Sequence, residues 1–366
     1  MNTPNESGTR DRPAGVDVDV DRYFPPHVAR MEGYVPGEQP QGGTFIKLNT
    51  NENPYPPSPR VKAALIETVN DRLRLYPDPI AREFRKTAAA LLGLEPDMIL
   101  AGNGSDDVLT IITRAFVGRG DLAAYPTPSY LLYSTLLELQ DARAHVVPFS
   151  ADWKLKLDDF QRPGLKLVYL ANPNSPSGTA LAPAEVAELA ESLDCPLVVD
   201  EAYGDFAAEN CVSLLKDHPN VIVTRSFSKG YSLAGVRLGY LAADPRIVAQ
   251  LNKVKDSYNC DALALAAGKA ALEDQDYLAE TRARIVATRA RLASGMRSLG
   301  FDVTDSQANF VWAAGGRPAV ETFQQLKERN VLVRLMRYEG FPAGLRISVG
   351  TDAEIDRLLE VLRGLP

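Results

Sequence analysis

Three stretches of this chain are apolar almost throughout and then stop at polar residues: LKLVYLANPNSPSG (165–178), CPLVVDEAYGDF (195–206) and VIVTRSFSKG (221–230). A strand with one face in water alternates apolar and polar residues, whereas a strand covered on both faces reads as a continuous apolar run. Helical patterns such as APAEVAELAESL (182–193) separate the first two runs, as the crossover between parallel strands requires. The same rhythm comes earlier. DMILAGNGSDDVLTIITRAF (97–116) and DLAAYPTPSYLLYSTLLELQ (121–140) both read as strand, turn and helix. SPRVKAALIETVNDRL (58–73) is amphipathic, with Pro59 near a helix start. The pattern predicts an α/β fold whose mostly parallel sheet lies between helices.

Near Asp261 the rhythm changes. A long helical region runs to about Leu299, followed by the short strands NFVWAA, VLVRL and LRISVG and the helix AVETFQQLKERN. The chain closes on TDAEIDRLLEVLRGL, where Thr351 and Glu354 have capping-box spacing. This predicts a smaller α+β domain. The expected division is a disordered tail over 1–21, an irregular segment over 22–59, a large domain over 60–260 and a small domain over 261–366. The irregular segment should pack in the groove between domains or on a partner subunit.

Composition narrows the function. At 366 residues, 45% hydrophobic and 24% charged, the chain has room for two globular domains. Its net charge of −7 advertises no basic face for nucleic acid or an anionic membrane, and no apolar run is long enough to span a bilayer. The 3 cysteines and 3 histidines are scattered, which argues against a metal or disulfide framework and fits a reducing cytoplasm. The first residues are polar and contain Pro and Gly, unlike a signal peptide.

Ligands of open α/β sheets bind outside the carboxyl ends of the strands. AGNGSDD places Gly102 and Gly104 before a helix starting around Ser105, where backbone N–H groups can cradle a phosphate. It lacks the third glycine of a dinucleotide fingerprint and the Gly-Lys-Ser/Thr of a P-loop. VVDEAY ends a strand at Asp200, TPSYLLY offers Tyr130 at a helix start, and RSFSKG offers Lys229 between serines. Taken singly, each has an ordinary reading: a glycine turn, a satisfied strand-end carboxylate, a packing tyrosine, a solvated loop. Taken together at successive strand ends, they suit an aromatic aldehyde phosphate, held by an amine, a carboxylate, a stacking ring and Gly/Ser/Arg groups.

From about Tyr34 onward the chain resembles the fold type I pyridoxal-phosphate aminotransferases, most of all the histidinol-phosphate aminotransferase family. The resemblance implies pyridoxal 5′-phosphate as cofactor, with Lys229 in SFSKG as the Schiff-base lysine. It implies Asp200 as partner of the pyridine nitrogen, Tyr203 as the phenol near the ring O3′, and Tyr130 as the stacking ring. Gly104, Ser105, Asp106, Ser226, Ser228 and Arg237 would hold the phosphate. Tyr76 in RLYPDP would reach the neighbouring subunit's cofactor, which implies a homodimer with shared sites. Tyr34 in GYVPG and Asn53 in LNTNENP would meet substrate, and Arg334 and Arg346 would grip its anions. One position departs from the family, which commonly reads Asn-Asn-Pro-Thr-Gly where this chain has NSPSG. The contact to O3′ is thereby left open between Ser175 and Asn174.

The implied reaction exchanges an amino group between L-histidinol phosphate and 2-oxoglutarate, in histidine biosynthesis. An aromatic amino acid aminotransferase, a threonine-phosphate decarboxylase and a cofactor-binding regulator remain as alternatives at this point.

Overall fold

The computed structural model describes residues 20–32, 38 and 45–365. The expected disordered tail lies outside them apart from residues 20 and 21, and so does Tyr34.

A seven-stranded sheet forms the larger unit. Its order across the sheet is Ile99–Gly102, Gly239–Ala243, Val221–Ser226, Leu197–Asp200, Leu165–Ala171, Leu122–Thr127, Arg143–Pro148. Only Gly239–Ala243 runs antiparallel to its neighbours. Both faces are covered, as the unbroken apolar runs require. Val199 and Val223 join one core cluster with Phe84 and Phe227, while Val198 and Ile222 join another with Tyr133 and Tyr169. Successive strand residues point to opposite faces, so two packed layers need apolar residues at every position. Helix Ser105–Phe116 begins directly after the strand Ile99–Gly102, with Gly104 at its start.

The smaller unit is an antiparallel sheet in the order Arg334–Met336, Gly344–Ser348, Phe310–Ala314, Asp302–Val303. Helices Gln275–Ser298, Ala319–Glu328 and Asp352–Arg363 accompany it. The last has the expected capping box: Thr351 N–H donates to Glu354 Oε2 at 2.7 Å and Thr351 Oγ1 accepts from Glu354 N at 3.4 Å.

Two expectations change. The helical region after Asp261 is two helices, and the first, Ala262–Leu272, belongs with the larger unit. Its Ala264, Ala267 and Ala271 lie in the core that contains Phe84, and Gly268 closely approaches Leu238 and Phe84. A run of small residues packs equally well in either unit, so composition carries no mark of the boundary. VLVRL is not one strand either. Val331–Leu332 pairs in parallel with Ile46–Lys47, and Arg334–Met336 joins the antiparallel sheet. The pairing with Ile46–Lys47 leads the chain at 48–53 across the mouth between the two units.

Candidate active site

A cavity of about 280 Å³ opens at the carboxyl ends of strands Leu165–Ala171, Leu197–Asp200 and Val221–Ser226. Strand register builds its floor. Asp200 lies beside Thr224 on the neighbouring strand, whose Oγ1 donates to Asp200 Oδ1 at 3.0 Å. Tyr133 donates to Oδ2 at 2.9 Å and the Ala202 N–H to Oδ1 at 3.2 Å. Asp200 is nevertheless only 4% exposed, and burial pushes its pKa above the ordinary carboxylate value despite these donors.

Lys229 follows the strand Val221–Ser226, on a turn anchored by Phe227, which is fully buried. Its Nζ donates to the carbonyl of Thr50 at 3.2 Å and lies 5.8 Å from the centre of the Tyr203 ring. Beneath the turn, Arg225 pairs with Glu201 at 2.7 Å and with Asp205 at 3.2 Å. Burial opposes the Arg225 charge, but the Glu201 carboxylate and, more weakly, Asp205 outweigh it and hold the guanidinium protonated. A Cβ at Gly230 would lie 2.2 Å from Asp205 Oδ2, so the residue after the lysine must be small for the turn to sit on this ion cluster.

The other end of the cavity is an anion corner. The first N–H groups of a helix have no partner within it, and the N-terminus carries positive potential. Helix Ser105–Phe116 presents that end here, together with Ser226, Ser228 and Arg237. Arg237 donates to Ser228 Oγ at 3.3 Å and lies 3.6 Å from Asp106. Gly104 has φ +95°, and a Cβ there would stand 2.8 Å from Arg237 Nη2. Tyr130 lines the wall and donates to Asp106 Oδ1 at 2.9 Å.

The smaller unit contributes the opposite wall. Arg334 and Arg346 are direct cross-strand neighbours, and both line the cavity. Like charges placed directly opposite in a sheet are destabilising, so the pairing points to anion binding rather than to stability. Arg346 donates to Ser175 Oγ at 3.1 Å and to the Asn49 carbonyl at 3.2 Å, while its Nε is buried with no partner among the described residues.

Of the residues singled out in the sequence, Lys229, Asp200, Tyr203, Tyr130, Ser105, Asp106, Ser175, Ser226, Ser228, Arg237, Arg334 and Arg346 all line this one cavity, and Gly104 borders it. Three others stand elsewhere. Asn174 is buried behind the wall, its amide donating to Pro128 O and Ser177 Oγ and accepting from Ser129. Ser175, not Asn174, therefore faces the cavity. Asn53 braces the lysine turn from outside, donating to the carbonyls of Lys229 and Gly230 at 3.0 Å each. Tyr76 is 80% exposed, away from the cavity, stacked on Tyr258 at 4.4 Å.

Sequence reasoning missed Tyr133 and Thr224, and within LNTNENP it singled out Asn53 rather than Asn49–Asn51. Tyr133 stands three residues after Tyr130, a spacing that puts both on one side of a helix start and so held a signal. Thr224 carried none, because strand register places it, whereas Asn49–Asn51 lay in a segment expected over the active site but without individual roles.

A family model for class I and II aminotransferases matches residues 43–362. The chain belongs to the class I and II aminotransferase family. Among these aminotransferases it is 51% identical to the histidinol-phosphate aminotransferase of Rhodopirellula baltica, over 91% of this chain and 93% of that protein. It is 45% identical to histidinol-phosphate aminotransferase 1 of a Nostoc species, over 94% and 98%. The solved histidinol-phosphate aminotransferase of Sinorhizobium meliloti, in complex with pyridoxal-5′-phosphate, superposes with a TM-score of 0.81 at 31% identity, covering 87% of this chain and 91% of that one. The fold is thus that of a type I aminotransferase, and the chain is an enzyme of amino-group transfer. Among the described residues no helix is long and apolar enough to cross a membrane.

Proposed function

We propose that this aminotransferase exchanges an amino group between L-histidinol phosphate and 2-oxoglutarate in histidine biosynthesis, with pyridoxal 5′-phosphate as cofactor, as a cytoplasmic homodimer. The observation that carries the reading is the meeting of an amine, a buried carboxylate, an anion corner and a facing pair of arginines in one cavity. Relatives of 42–51% identity that bear the histidinol-phosphate aminotransferase name support the choice of substrate.

The residues present fit the cofactor. Gly104, lacking a Cβ, leaves Arg237 free to face a phosphate beside the helix N-terminus. Asp200, buried and pushed up in pKa, is matched by a ring nitrogen that carries a proton. Lys229 is the lysine that lines the cavity.

When bound, the cofactor supplies an electron sink and an aldehyde carbon that carries the amino group. Asp200 keeps the ring nitrogen protonated, because a cation against it offsets the cost of burying its charge. Tyr203 lines the cavity with its ring centre 5.8 Å from Lys229 Nζ, and its hydroxyl would meet the cofactor's ring oxygen. Lys229 Nζ, which lines the cavity, would take the proton from the substrate Cα as general base and hold it for return as general acid. Arg334 and Arg346 hold a substrate phosphate in one half-reaction and a glutamate carboxylate in the other, since guanidinium binds both anions bidentately.

The dimer reading is supported by Tyr76. It stands exposed and outside its own chain's cavity, in a surface stretch that also bares Ile66, Val69, Leu73 and Leu75. A second copy would cover such apolar area.

Glutamate formation from 2-oxoglutarate tests the reading, with histidinol phosphate and phenylalanine as competing donors. Histidinol phosphate is expected to be the preferred donor. Lys229→Ala should lower the rate by about 10²-fold to 10⁴-fold or more. Arg334→Ala should lower kcat/KM for histidinol phosphate by about 10- to 100-fold, and less for phenylalanine. A wild-type preference for phenylalanine would assign an aromatic aminotransferase instead, and carbon dioxide release without 2-oxoglutarate would assign a decarboxylase.

A further inference from the structure

The chain segment over 49–53 crosses the cavity and touches a different functional group at almost every residue. The carbonyl of Asn49 accepts from Arg346 at 3.2 Å, and the carbonyl of Thr50 accepts from Lys229 Nζ at 3.2 Å. The side chain of Asn51 donates through Nδ2 to the hydroxyl of Tyr203 at 2.9 Å.

Asn51 is the most constrained of the three. It is 1% exposed and adopts φ +57°, a left-handed conformation that asparagine tolerates better than most residues. The smaller unit holds it on three sides. Its N–H donates to Ser348 Oγ at 2.8 Å, and Ser348 Oγ donates to Asn51 Oδ1 at 2.9 Å. Asn309 Nδ2 donates to its carbonyl at 3.0 Å. With Ser348 Oγ accepting from the Asn51 N–H and donating to Oδ1, Nδ2 faces Tyr203. Tyr203 in turn rests edge-on against Phe310, which lies opposite Ser348 in the antiparallel sheet.

A hydroxyl that accepts from Asn51 has its single hydrogen left for another acceptor, and accepting one bond strengthens the bond it gives. We propose that Asn51 is a positioning residue for Tyr203, through which the smaller unit sets the strength of the hydrogen bond that Tyr203 gives to the cofactor's ring oxygen. This rests on the cofactor reading above. It also gives the chain a means of supporting that oxygen although Ser175 is short and already accepts from Arg346. The charged groups that line the same cavity are Glu52, Asp106, Asp200, Lys229, Arg237, Arg334 and Arg346, and none is altered in the test.

The bound cofactor's absorbance, followed against pH on the holoenzyme, reads this bond. A weaker donor at the ring oxygen favours the protonated chromophore and raises the midpoint. Asn51→Gly removes the amide while keeping a left-handed backbone without strain. It should raise the midpoint by about half a pH unit or more, the worth of one hydrogen bond. Ser348→Ala, which frees the amide without removing it, should shift the midpoint the same way by less. Tyr203→Phe should raise it further, and adding Asn51→Gly to Tyr203→Phe should change nothing more. An unchanged midpoint in Asn51→Gly overturns the proposal, even if thermal unfolding shows a loss of stability. A shift that adds in full on top of Tyr203→Phe overturns it as well. A wild-type protein that takes up no pyridoxal phosphate overturns the cofactor reading and this proposal together, whereas a normal wild-type titration with no Asn51 effect overturns this proposal alone.

Discussion

Tyr133 and Asp200 are bonded 2.9 Å apart at the cavity floor, the phenol donating to a carboxylate that is 4% exposed. Burial outweighs this donor and the two on Oδ1, so the Asp200 pKa stands above its ordinary value. Tyr133 is pushed upward as well, by its own burial and then by the neighbouring Asp200 charge. The carboxylate is therefore set for a cationic partner.

A pH effect on stability follows from that sign. An acid whose pKa is raised on folding contributes stability below its unfolded pKa and loses it as the pH climbs through the folded value. At about pH 8, far above the ordinary carboxylate range, the cofactor-free protein has lost stability at Asp200. Asp200→Asn should then raise the Tm of the cofactor-free protein by about 2 °C or more, with the difference shrinking toward pH 4. The same variant should gain less Tm from added pyridoxal phosphate than the wild type. Scanning calorimetry with and without cofactor checks both; a cofactor-free Asp200→Asn protein that melts lower at pH 8 contradicts the burial argument.

The anion corner depends on a missing methyl group. At Gly104, φ +95° and a prospective Cβ 2.8 Å from Arg237 mean that Gly104→Ala strains the backbone and displaces the guanidinium. A charge-assisted contact is worth about 1.5–3 kcal/mol, so cofactor affinity should fall about 10- to 100-fold. Fluorescence titration of the cofactor-free protein measures the Kd. An unaltered Kd would remove Arg237 from phosphate binding.

Shared sites can be read by complementation. Lys229→Ala and Tyr76→Ala chains should each be impaired alone. If Tyr76 serves the neighbouring cofactor, a hybrid of the two has one site with both residues intact, and mixing should restore activity above the mean of the separate proteins. No gain after demonstrated subunit exchange would place each site within a single chain.

Most of the larger unit could be read directly from the chain. Apolar strands without alternation imply cover on both faces, and polar residues at their ends mark where the sheet opens to a ligand. Lys229 and Asp200 follow from that logic as polar groups at or just after the ends of apolar strands, whereas Arg237 as a phosphate ligand came with the family resemblance. The boundary near residue 260 did not follow, since the Ala- and Gly-rich helix Ala262–Leu272 packs against the larger unit on contacts that composition does not encode. Asn53 was expected to meet substrate, yet its amide is taken up by the carbonyls of the lysine turn. The asparagines of LNTNENP look alike as letters, and only their distance from Tyr203, Lys229 and Arg346 separates their roles.

Local rules were therefore enough for what repeats along the chain: strand burial, helix starts, the Thr351–Glu354 cap and the set of groups at strand ends. They depend on neighbours a few residues away. The pairing of Thr224 with Asp200, the facing of Arg334 and Arg346, and the grip of Ser348 and Asn309 on Asn51 depend on register and on contacts between residues up to 297 positions apart. The first two form when each sheet sets its register and the last when the two units come together, because register and burial, rather than any local preference, set the distances.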